Sequence, residues 1–118
     1  MRMSTTAIVA RNVDWSGMAA TEPYEAGWAE TALIFVRALR PAIGEPGRAH
    51  VEISPDGMNW VREGTSFDLP SDQHAVTFTR VNSFGNWLRL TSQFEEGSSL
   101  RVLVTIPRHC KDQSRPTA

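Results

Sequence analysis

Ser54-Pro55-Asp56-Gly57 stands between two arms of alternating apolar and polar residues, and a chain of that pattern has little choice but to reverse direction there as a β-hairpin. Pro55 fixes φ near the value wanted at the second position of a type I turn. Asp56 tolerates the third position, where its carboxylate can accept bonds from nearby backbone N–H groups. Gly57 can take φ > 0, which a type I turn followed by a G1 bulge requires. Before the turn, Val51 and Ile53 alternate with His50, Glu52 and Ser54; after it, Met58 and Trp60 alternate with Asn59 and Val61. Both arms fit half-buried pleated strands. The turn alone accounts for Asp56, so it is read as structural rather than as a calcium ligand or a catalytic carboxylate.

The rest of the chain carries the same signature. Residues 6–13 are rich in β-branched side chains and read as a first strand, and 14–17 (DWSG) as a turn. Residues 18–27 contain Pro23 and Gly27 and read as irregular with at most one short strand. Residues 28–40 admit two readings. Trp28, Ala32, Phe35 and Leu39 recur at helical spacing, whereas Leu33 to Val36 is a continuous apolar run suited to a buried central strand. A strand over 31–38 is preferred, because everything downstream reads as strand. Two prolines and two glycines make 41–47 a loop. Residues 62–64 are expected to end the hairpin, with 65–69 a short edge strand. Further strands are expected over 75–81, 87–92 and 99–106, with Pro107 ending the last. In the segment 75–81, Val76 and Phe78 share one face and Thr77 and Thr79 the other. The expectation is an all-β, antiparallel, jelly-roll-like sandwich of seven to eight short strands. It forms a single domain over 1–107, followed by a polar, frayed tail over 108–118.

Length and charge narrow the function. A chain of 118 residues makes one domain with a modest core, for which oligomerisation adds buried area. Twelve basic and thirteen acidic residues, without a long block of one sign, give no basis for nonspecific nucleic-acid binding or membrane attraction. Residues 32–36 are far too few to cross a bilayer, and the first residues lack a signal-peptide apolar run. The cytoplasm is therefore the default location, with association with a virion the alternative. Cys110 is the only cysteine, so an internal disulfide is excluded.

Candidate chemistry is sparse. His50, His74 and His109 lack partners at zinc-like spacing, so neither a metal site nor a cofactor is expected. His109-Cys110 is a nucleophile–base pair only on paper, since the tail offers no scaffold. Asp68 with Asp72, and Glu95-Glu96, read as solvated turn carboxylates. Gly44-Glu45-Pro46-Gly47 lacks the Lys-Ser/Thr of a phosphate loop. Trp15, Trp28, Trp60 and Trp87 read as core or interface residues, or as platforms on which a sugar ring could stack. Arg37, Arg62, Arg80 and Arg89 alternate with apolar residues, as if lining one polar sheet face.

Ser54-Pro55-Asp56-Gly57-Met58-Asn59-Trp60, then Trp87-Leu88-Arg89-Leu90, then Leu100-Arg101-Val102 resemble the second half of discoidin-like, galactose-binding-like jelly rolls. The same succession is similar to small bacterial and phage β-sandwich proteins of unknown function. The resemblance implies a jelly roll, covers about half the chain, and carries over no ligand-binding residue. Together the residues lead to a non-catalytic structural or assembly protein that pairs with copies of itself. The alternative is a carbohydrate- or surface-ligand-binding module of discoidin-like type.

Overall fold

Period-two alternation is plainest over residues 31–38. In residues 31–38, Ala32, Ile34, Val36 and Ala38 are buried, while Leu33, Phe35 and Arg37 point the other way. That segment is a strand and not a helix. A computed structural model describes residues 4–25, 31–82 and 87–109. Its strands are β1 (Ser4–Trp15), β2 (Met18–Ala20), β3 (Tyr24–Glu25), β4 (Thr31–Ala38), β5 (Arg48–Ser54), β6 (Val61–Asp68), β7 (Val76–Asn82), β8 (Trp87–Gln93) and β9 (Leu100–His109). No helix occurs among the described residues.

The strands form two antiparallel sheets, one of order β1-β9-β4-β7 and the other of order β2-β8-β5-β6, with β3 also pairing β8. Their inner faces share one apolar core. Val36, Val51, Leu88, Val102 and Val104 lie fully buried at its centre. The fold is thus an all-β, two-sheet sandwich.

Several expectations change in detail. Nine strands are present among the described residues rather than seven or eight, because 18–25 yields two short ones that cap the edge of β8. Asp14 and Trp15 are not in a turn. They finish β1 opposite Arg101 and Leu100, which lets Trp15 bury its ring; only Ser16 and Gly17 turn. Met58, Asn59 and Trp60 are not strand either. They extend the connection, and β6 starts at Val61, opposite Ile53. Residues 62–64 do not end the hairpin. A register shift between His50 and Glu52 lets one strand run on through Gly64, whose φ of 116° suits glycine alone.

Pro107 does not end β9. It lies opposite Thr6, and β9 pairs with β4 only from Val102 to Thr105. The proline's missing N–H therefore falls where one flank of β9 has no neighbour. Of the tail expected over 108–118, Arg108 and His109 instead extend β9 opposite Thr5 and Ser4, whereas residues 110–118, with Cys110, lie outside the described residues, as do Trp28 and the turn glycine Gly85.

In β7 the structure decides which face is inside. Its register with β4 sets Thr77 opposite Val36, Thr79 opposite Ile34 and Val81 opposite Ala32. All three partners point into the core, so Thr77, Thr79 and Val81 do too. Val76 and Phe78, the apolar face of the strand, point outward and are 45% and 52% exposed.

Candidate functional site

The Ser54–Trp60 connection is closed by its own side chains. Ser54, fully buried, donates from Oγ to Asp56 Oδ1 at 2.9 Å and accepts from the N–H groups of Asp56 and Gly57. Asp56 Oδ1 also accepts the N–H groups of Met58 and Asn59 at 2.8 and 2.9 Å, and Oδ2 accepts from Asn59 Nδ2 at 2.8 Å. These bonds, the backbone N–H of Asn59 foremost, hold the carboxyl well below the ordinary carboxylate range. Asp56 therefore has its oxygens committed to the loop. Gly57 has φ 78°, and its backbone passes against the Trp87 ring.

The outer face of the β2-β8-β5-β6 sheet carries a groove of about 300 Å³. Register defines its floor. Ala20, Thr91, His50 and Ser66 form one rung across four strands, and Arg89, Glu52 and Arg62 form the next rung across three. Met18, Gln93 and Arg48 close one end. Arg89 reaches Glu52 Oε1 through Nε at 2.8 Å and Nη2 at 2.7 Å, and its guanidinium lies 4.4 Å from the centre of the Trp60 ring. Arg48 bonds Asp68 at 2.8 Å and the Ser66 hydroxyl at 3.0 Å. Arg62 has no ion-pair partner among the described residues, although it faces the carboxylate that Arg89 has taken. His50, between these cations, is held below its ordinary pKa, first by burial and then by Arg62 and Arg48, with Glu52 opposing. It is a neutral imidazole at pH 7.

The outer face of the other sheet differs in chemistry. Ile8, Thr105, Phe35 and Phe78 form one rung across all four strands. The two phenylalanine rings stack with centroids 5.4 Å apart. Leu103, Arg37 and Val76 flank them on one side, Pro107, Leu33 and Arg80 on the other. Arg37 and Arg80 have no ion-pair partner on this face among the described residues. At its far end Arg101 bonds Asp14 and Asn12, each at 2.7 Å.

The four arginines expected on one polar face are therefore split. Arg62 and Arg89 line the groove, whereas Arg37 and Arg80 stand on the apolar face, because β4 and β7 belong to the opposite sheet from β6 and β8. Of the tryptophans, Trp15 is core, Trp60 carries Arg89, and Trp87 packs against Gly57. His74 lies apart from the groove, in a turn with φ 68°, its N–H bonded to Ala38 O at 2.7 Å. Asp68 is paired with Arg48. Among the described residues no three of His, Cys, Asp and Glu come together as metal ligands would. Nor is any helix there long and apolar enough to cross a membrane. Along the chain the groove is signalled only by the alternating Arg48, His50 and Glu52, which one strand places on one side.

The architecture puts the protein among two-sheet antiparallel β-sandwiches. Compared with known proteins, the chain matches no family model, and no characterised protein matches it in sequence.

Proposed function

We propose that this protein is a non-catalytic assembly component that associates with copies of itself through the outer face of the β1-β9-β4-β7 sheet. The orientation of β7 carries this reading. A strand with two phenylalanine- and valine-bearing positions and two threonines would ordinarily turn the threonines to water. Here the threonines face inward, and Thr77 Oγ1 is buried without a hydrogen-bond partner among the described residues. Phe78 and Val76 face outward beside Phe35, Leu33, Leu103 and Ile8. An unbonded buried hydroxyl costs about 1–3 kcal/mol. That cost goes with an apolar strand face that is used on the outside.

Strand spacing and rise give the face a projected area on the order of 400 Å². Arg37, Arg80 and Thr105 interrupt that area, and its apolar part is of the size of the largest patch on an ordinary monomer, which is often functional. A second copy supplies the same aromatic pair, and phenylalanine rings are the surface over which Arg37 and Arg80 lose least on desolvation. Light scattering during size-exclusion chromatography of the full chain tests this. A mass of two or more chains is expected, and Phe78→Asp should return a folded monomer whose thermal midpoint, unlike the parent's, no longer rises with protein concentration. A strictly monomeric parent at high concentration overturns the proposal.

A second reading, a module for carbohydrate or another surface ligand, is favoured by the groove on the opposite sheet. The two readings use different faces of the sandwich and are tested separately.

A further inference from the structure

We propose that the groove between β2 and β6 binds a sugar acid: a single pyranose-sized ring bearing one carboxylate. The inference deepens the ligand-binding reading and is independent of self-association.

The groove's unspent capacity defines the ligand. Three arginines line it, and two are committed, Arg48 to Asp68 and Arg89 to Glu52. Arg62 remains, a planar cation suited to gripping one carboxylate through two parallel bonds. Glu52, the one carboxylate in the lining, lies opposite Arg62 but is held by Arg89, so the groove keeps an excess of positive charge. Trp60 holds Arg89 from the side, which fixes this division of partners.

The neutral groups tell the rest. His50, Thr91 and Gln93 line the same groove, and their side chains make no hydrogen bond among the described residues. His50 and Thr91 stand opposite each other on adjacent strands, about 4.8 Å apart, and Gln93 lies two residues further along β8, about 7 Å from Thr91, so donors and acceptors are spread over the width of a hydroxylated ring. Met18 and Ala20 form an apolar ledge for the ring's C–H face. A volume of about 300 Å³ stands at the small end of ligand pockets and is enough for one ring. A bare carboxylate would leave the neutral groups unused, and a neutral sugar would leave Arg62 unused.

Isothermal titration of the full-length protein with glucuronate, galacturonate, glucose and acetate tests the assignment. A sugar acid should bind at least about tenfold more tightly than either glucose, which lacks the carboxylate for Arg62, or acetate, which lacks the hydroxyls for His50, Thr91 and Gln93. Arg62→Gln should remove that preference without moving the thermal midpoint, because Arg62 is free of ion pairs. Phe78→Asp should leave the titration unchanged. Glucose binding as tightly as glucuronate overturns the sugar-acid assignment while keeping the ligand-binding reading. Acetate binding as tightly overturns the ring. Failure of all four compounds removes the sugar-acid inference, and an equally blank panel of neutral glycans removes the ligand-binding reading with it.

Discussion

Asp56 and Gly57 were legible as residues because their roles are local. The carboxylate is bonded within the segment 54–59, and the glycine takes the positive φ that the turn needs. Gly57→Val should therefore destabilise the protein by about 1–2 kcal/mol, since a β-branched side chain is strained at that φ. The added Cβ would also rest 3.4 Å from the Trp87 ring. Chemical denaturation of parent and variant measures the difference; equal midpoints would mean the turn has another conformation. Trp60 was not legible in the same way. Its partner Arg89 lies on a strand that the sequence places far away, and only register brings the two to 4.4 Å.

At the scale of elements, local pattern located strands well and assigned their faces less well. β4 spans Thr31–Ala38 as the apolar run implied. The run is continuous because β4 is apolar on both sides: Ile34 and Val36 in the core, Leu33 and Phe35 on the outer face. β7 shows the limit. Alternation says which residues share a face, but not which face is inside, and a shift of one residue exchanges them. The core-facing residues of β4 made that choice for β7. β8 holds three neighbours together, β2, β3 and β5. Leu90→Ala, in its buried centre, should cost about 2–5 kcal/mol in urea or thermal unfolding. A loss well below that range would show that the core closes over the cavity.

For the whole molecule, charge and sheet packing meet at His50. Its pKa is depressed in the folded state, so in the window below the ordinary value of 6.5 the unfolded chain takes up the proton first. His50 therefore lets stability stay complete above pH 6.5 and fall as the pH drops below it. A pH series of thermal midpoints should show this decline, and His50→Gln should flatten it; an unchanged slope would place the titration elsewhere. The neighbours responsible, Arg48 and Arg62, come from two strands, so the effect belongs to the assembled sheet.

By itself the sequence determined an antiparallel, all-β chain, the place of its central turn and most of its strands. Those properties follow from neighbours a few residues apart: proline and glycine dihedrals, a self-bonded aspartate and period-two alternation. Only the tertiary structure decided which strands share a sheet. That choice separated Arg62 and Arg89 from Arg37 and Arg80, formed the groove, and turned Phe78 outward. Register and sheet partnership are settled by how two whole faces bury against each other, and no short stretch of chain contains that information.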